Sequence, residues 1–321
     1  MNKKIKIVLL AAFVILVVVL ASAYIIAEVD LEKIQGKLVF AQSYNLGDKI
    51  DKVIIKTTED EIELKQKNSF WYVASKGNYY ADFKLLNRFF TSINNSVYSI
   101  KLPYDENVLK EGYLLNPLDS KDDSGMLIKT YVGDDLIDEV IVGLPSENGN
   151  YFFAKRPDVK EIWLVDGDFN LPIEGKDWLL YPIFSVVKDS IEKVQLGDDF
   201  VTRDIQSAYF INKDGREINL DQLLRVMGGV RASNSLGEND FIKDEMNEKV
   251  IELTTFYGLV ITCRVYSNDD NKTWLNIKLS TTALPKSAVN DYIKDNGFLY
   301  EGWYFEITPE QGSILRNFRL I

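Results

Sequence analysis

From Ile7 to Ala27 the chain carries no charged residue, and Lys3, Lys4 and Lys6 stand immediately before the run. About twenty apolar residues at a 1.5 Å rise suffice to cross a hydrocarbon core of about 30 Å. A secretory signal is the other reading, with Ile7 to Leu20 as its apolar core and Ala21-Ser22-Ala23 as a small-x-small cleavage site. Tyr24-Ile25-Ile26-Ala27 favours a retained anchor, because apolarity continues past that site and ends only at Glu28 and Asp30. The lysines predict a cytoplasmic N-terminus, so both readings place everything after Glu28 on the far side of the membrane. No cysteine lies near the run, which excludes a lipid anchor there.

The formal net charge of the 321 residues is −11, which becomes −14 once the three N-terminal lysines are set aside. A field of that sign repels phosphate backbones, so no nucleic-acid partner is expected. Histidine is absent and Cys263 is the single cysteine. Imidazole-based acid/base catalysis, Ser-His-Asp and Cys-His nucleophiles, and zinc sites of the His/Cys kind are therefore excluded. One thiol makes no intrachain disulfide, and the strand-like run Gly258 to Tyr266 predicts that Cys263 is a buried core residue.

Hydrophobic periodicity organises the rest. Lys52 to Thr57, Glu61 to Lys65 and Phe70 to Val73 read as strands, and Phe83, Leu85, Leu86, Phe89, Phe90 and Ile93 form a helical stripe with Asp82 at its start. Strands follow at Met126 to Val132, Asp138 to Val142, Tyr151 to Lys155 and Glu161 to Val165. A similar order returns with Ser207 to Asn212, Arg216 to Ile218, a helix over Leu220 to Met227, a hairpin about Tyr257-Gly258, and strands Thr273 to Leu279 and Gly302 to Ile307. A helix over Pro309 to Phe318 closes the chain. The expected fold is α+β: an N-terminal transmembrane helix, then two related units of antiparallel sheet with packed amphipathic helices. The expected divisions are residues 1–30, 31–195 and 196–321, with the second boundary near Leu196-Gly197-Asp198-Asp199.

Residues 50 to 195, nearly half the chain, resemble a bacterial family known as domain of unknown function 4340. The likeness rests on the strand pair before Trp71, the Ala81-Asp82 start of the helix with Leu85-Leu86, and Glu111-Gly112-Tyr113-Leu114-Leu115-Asn116-Pro117. It continues through Val142-Gly143, Tyr151 to Arg156, Ile162-Trp163-Leu164-Val165, Asp177-Trp178-Leu179 and Ile191 to Val194. Leu114 replaces the family's glycine and Asn116 its acid. The resemblance implies a single-span, membrane-anchored extracytoplasmic protein without an assigned activity. It also implies a partnership with an ABC-type transporter of the gliding-motility auxiliary kind.

Candidate sites compete with plainer accounts. Asp166-Gly167-Asp168-Phe169-Asn170 alternates oxygen ligands as a Ca²⁺ loop does, but Leu171 and Asp177 stand where such a loop has Gly and Glu, so a solvated turn is expected. Ser267 to Asn271 reads as a hairpin loop. The acid pairs Asp122-Asp123, Asp134-Asp135 and Asp198-Asp199 suggest a polysaccharide hydrolase only if two carboxylates face each other across a cleft. Ser185-Val186-Val187-Lys188 lacks the companion motifs of the penicillin-binding enzymes, and Gly228-Gly229 lacks a P-loop. No cofactor and no metal site are expected. Among the aromatic residues, Tyr80, Trp163, Trp178, Trp274 and Trp303 are the candidate contacts for a partner or ligand, with core packing as the competing role. Arg225 and Arg231, flanking the glycine pair, are candidates for meeting an acidic group. The leading expectation is a non-enzymatic binding or scaffold protein. The alternatives are a carboxylate-dependent hydrolase and a protein that captures a ligand between its two units.

Overall fold

The computed structural model describes residues 34–244, 246–268, 272–284 and 287–320. The expected anchor over residues 7–27 lies outside them, as do three residues of the Ser267 to Asn271 loop. Among the described residues no helix is long and apolar enough to cross a membrane. The chain divides into two compact units, one reaching to Glu59 and including Asn87–Leu171, the other comprising Asp60–Leu86 and Pro172–Ile321.

Two large antiparallel sheets carry the fold. The first takes β1 (Lys52–Lys56), β2 (Glu61–Lys67), β3 (Phe70–Val73), β4 (Tyr79–Tyr80), β5 (Val97–Leu102), β6 (Met126–Val132), β7 (Asp135–Pro145), β8 (Tyr151–Lys155) and β9 (Ile162–Asp166). The second takes β10 (Ile191–Leu196), β11 (Asp199–Thr202), β12 (Phe210–Asn212), β13 (Glu217–Ile218), β14 (Ala232–Gly237), β15 (Asn247–Thr255), β16 (Leu259–Ser267), β17 (Thr273–Thr281) and β18 (Trp303–Ile307). The strand orders are β4-β3-β2-β1-β6-β7-β8-β9-β5 and β13-β12-β11-β10-β15-β16-β17-β18-β14. Adding nine to each label of the first gives the second, so the connectivity is repeated without a change. A local irregularity is repeated as well. β5 slips register against β9 between Tyr98 and Ile100, and β14 slips against β18 between Ala232 and Asn234, each at a serine, Ser99 or Ser233.

Among the described residues six α-helices complete the fold: α1 (Ala41–Leu46), α2 (Phe83–Asn95), α3 (Glu106–Glu111), α4 (Asp221–Met227), α5 (Ser287–Asn296) and α6 (Pro309–Asn317). α2 begins where Asp82 Oδ1 accepts the backbone N–H groups of Lys84 and Leu85, each at 2.9 Å, and it buries Leu86, Phe89 and Ile93 at helical spacing. α6 starts with Pro309 in its first turn. Lys249 Nζ donates to the carbonyls of Leu315, Arg316 and Phe318, supplying a cation where the helix leaves acceptors without intrahelical donors.

Alternation fixes the sheet faces. In β1, Val53 and Ile55 are buried between half-buried neighbours. In β16, Ile261, Cys263 and Val265 are buried and alternate with Val260, Thr262 and Arg264. Burial also pushes the Cys263 thiol up to about 12. The hairpin expected about Tyr257-Gly258 forms, with Thr254 opposite Val260 and Gly258 at φ +89. Leu196 pairs with Asp199 around Gly197 at φ +60, which makes this segment a hairpin turn inside the second sheet, and that sheet begins at Ile191.

Candidate functional site

The β2–β3 turn places Asn68 and Ser69 at positive φ, 50° and 66°, and brings Lys67 opposite Phe70. That twist suits a two-residue hairpin connection and fixes which residues of β3 face which side. β4 pairs Tyr79 with Val73 and Tyr80 with Tyr72. Successive strand residues point to opposite faces, so the tyrosine pair is divided. Tyr79 is fully buried. Its ring centroid lies 5.2 Å from that of Trp303 and 4.9 Å from that of Phe305, its hydroxyl donates to the Leu299 carbonyl at 3.0 Å, and burial drives its pKa upward. Gly77, at φ +79, is needed just before it, because a Cβ there would come within 1.8 Å of the Ser235 carbonyl oxygen.

Tyr80 faces the other way into a group of aromatic rings. Its centroid is 5.6 Å from Phe70, 5.0 Å from Tyr72 and 5.6 Å from Phe298, and Phe70 also contacts Phe83 at 6.4 Å and Phe298 at 6.3 Å. Burial, reinforced by Tyr72, pushes the Tyr80 hydroxyl up to about 12. Phe70, Phe83 and Phe298 are 37%, 48% and 45% exposed, so these rings contact one another while still presenting apolar surface to solvent. A contiguous exposed aromatic patch is the kind of surface that marks an interaction site.

A polar recess adjoins the platform. Leu180 N–H donates to the Tyr80 carbonyl at 2.9 Å and Asp82 N–H to the Trp178 carbonyl at 2.8 Å, which carries the chain onward to Tyr181. The guanidinium of Arg231 lies 4.4 Å from the Tyr181 ring centroid. Asp82, Lys176, Tyr181 and Arg231 line a cavity of ≈ 280 Å³. The Arg231 backbone is held by Gln311 Oε1 at 2.9 Å, and Gln311 Nε2 in turn donates to the Gly229 carbonyl at 2.8 Å. Arg225, in the last turn of α4, is exposed and does not line this recess.

Of the five aromatic candidates, Tyr80 belongs to the platform and Trp303 is half-buried beneath it, against Tyr79. The other three are core residues that present no open face. Trp163 is buried against Tyr98, Trp178 is fully buried with its indole N–H on the Pro172 carbonyl, and Trp274 packs on Phe241 within a cluster that includes Tyr266 and Tyr304. Phe70, Phe83 and Phe298 escaped the sequence reading. Phe83 sits in the apolar stripe of α2 but is exposed at its first position while Leu86 in the same turn is buried, and Phe298 lies in a 3₁₀ turn without strand or helix periodicity.

The acid pairs lie on turns, with Asp122, Asp134, Asp135, Asp198 and Asp199 exposed. Among the described residues the carboxyls with displaced pKa values are Asp60, where burial raises the value but Lys76 and backbone N–H groups outweigh it, Asp221, lowered chiefly by Lys188, and Glu248, lowered chiefly by Arg264; the net shift of each is opposite to the one a general acid requires. Asp168 Oδ1 accepts from Asn170 N–H at 3.1 Å while Phe169 is buried, the geometry of a local turn. Among the described residues no three potential ligands of His, Cys, Asp or Glu converge. Ser185 donates to the Gly228 carbonyl and Lys188 pairs with Asp221, so the two ends of that motif do not meet. Comparison with protein-family models, with curated proteins and with solved structures finds no match for this chain.

Proposed function

We propose that this chain is a non-enzymatic, membrane-anchored extracytoplasmic binding or scaffold protein, an accessory to an ABC-type envelope transport complex. The apolar run over residues 7–27 holds it in the inner membrane with the N-terminus in the cytoplasm, and the two sheets of repeated connectivity are related units on the outer side. The observation that carries the reading is the platform of Phe70, Tyr80, Phe83 and Phe298, whose exposed rings a partner protein covers. The resemblance of residues 50 to 195 to the anchored family supplies the transport partner. The hydrolase alternative finds no support in acids that are dispersed over turns or shifted downward.

Gentle solubilisation of membranes followed by affinity capture of the full-length chain tests this. Transporter subunits are expected to accompany the wild-type protein and to be depleted at least fivefold with the triple variant F70S/F83S/F298S. Recovery of the chain alone, or of the same partners with the triple variant, would overturn it.

A further inference from the structure

On the second unit, away from the aromatic platform, α4 and α6 flank a cavity of ≈ 580 Å³ lined by Asn219, Gln222, Ser313, Asn317, Phe318 and Arg319. A neighbouring cavity of ≈ 380 Å³ shares Asn219, Leu220 and Asp221 with it and adds Tyr209, whose ring is 61% exposed. The floor is apolar, since Leu220, Leu223 and Leu224 are buried, and the rim joins the carboxamides and hydroxyls of Asn219, Gln222, Asn317, Ser313 and Tyr209 to the charged Lys188, Glu217, Asp221 and Arg319. Asn219 Oδ1 accepts from Asp221 N–H at 2.8 Å and the Asn219 side chain also hydrogen-bonds the Asp221 carboxylate, which fixes it at the rim. Asn317 Nδ2 reaches Ser313 Oγ only at 3.4 Å. The lining charges sum to zero: Asp221 is paired with Lys188 at 2.7 Å, and Arg319, which donates to the carbonyls of Arg316 and Phe318, is offset in sign by Glu217.

We infer that this double recess binds a neutral saccharide. A sugar hydroxyl donates and accepts at once, and a carboxamide offers both functions side by side, so Gln222 and Asn317 match a polyol where a carboxylate or ammonium alone would not. Tyr209 and Phe318 supply ring surface for the C–H faces of a pyranose. Cavities of this size hold small ligands of one or two rings, and the absence of excess charge at the rim selects against strongly ionic ones.

The test is ligand-observed NMR on the full-length protein in detergent, with maltose, cellobiose and N,N′-diacetylchitobiose as probes at millimolar concentration. At least one is expected to show saturation transfer from the protein. Q222A and N317A, both at exposed positions, are each expected to weaken its binding about fivefold or more through loss of hydrogen bonds. R225A, on the outer face of the same helix, is expected to leave it unchanged, and so is F70S/F83S/F298S, which separates this site from the partner platform. No transfer to any probe, or equal binding by the wild type, Q222A and N317A, would overturn the inference.

Discussion

Arg156 Nη2 donates to Asp138 Oδ1 at 2.9 Å, and the Asp138 side chain is wholly buried. The other carboxylate oxygen accepts from the backbone N–H and the hydroxyl of Ser43, each at 2.8 Å, while Arg156 also reaches the Val39 carbonyl. The pair thereby ties α1 and the segment before it to β7. Removing the arginine leaves the buried Asp138 carboxylate without its counter-charge, so R156A is expected to lose about 3–5 kcal/mol, measured by urea denaturation. A loss below 1 kcal/mol would mean that water replaces the pair without cost.

Asp60 and Lys76 form a second link, at 2.8 Å, with Asp60 Oδ2 also accepting from Gly175 N–H at 2.9 Å. Burial raises the carboxyl's pKa, but the hydrogen bond and charge of Lys76, with the N–H groups of Gly175 and Glu61, outweigh it and hold the value below the ordinary 3.8. A group depressed in the folded state contributes stability that is fully present above its unfolded pKa and is lost as pH falls through the folded one. Acid titration of stability is therefore expected to steepen below pH 3.8, and D60N to flatten that slope. Identical profiles would contradict the assignment.

Arg203 is buried without a carboxylate. Nε donates to the Ile191 carbonyl at 2.7 Å, Nη1 to Ser207 at 2.9 Å and Nη2 to Lys188 at 3.0 Å, with the rings of Phe210 and Phe256 within 5.1 Å and 5.6 Å of the guanidinium. Lysine lacks the planar fork that reaches three carbonyls at once. R203K is expected to be nearly as damaging as R203A, each costing about 3 kcal/mol by chemical denaturation. Full rescue by lysine would show that charge alone matters.

Cys263 serves as a reporter of the second sheet. Buried and with its thiol pushed up to about 12, it is expected to resist maleimide in the native protein and to react within minutes once the sheet is unfolded. Rapid native labelling would mean that β16 opens locally.

Much of the sheet architecture is written in alternation. Val53 and Ile55, or Ile261, Cys263 and Val265, define faces that need no tertiary information. The strands that sequence reading missed lack this pattern for physical reasons. β14 is Ala232-Ser233-Asn234-Ser235-Leu236-Gly237, an edge strand broken by a bulge, and Ser235 is buried because the backbone at Gly77 packs on it. α5 buries Val289 and little else, which leaves no stripe to read. The candidate site was legible at Tyr80 and, in the adjoining recess, at Arg231. Among the companions of Tyr80, Phe70 and Phe83 stand close to it in the chain but in a strand and a helix, and Phe298 lies far downstream, so only folding shows that they share a surface, whereas the tryptophans, the most conspicuous aromatic residues, were mostly consumed by the core.

Site-specific photo-crosslinking probes the central claim most directly. With a benzoylphenylalanine at position 298 of the full-length protein in its native membrane, illumination is expected to give one discrete adduct containing a transporter subunit. The same group at Tyr257, 48% exposed on the β15–β16 turn, is expected to give none. No adduct at 298, or matching adducts at both positions, would contradict a partner seated on the aromatic platform.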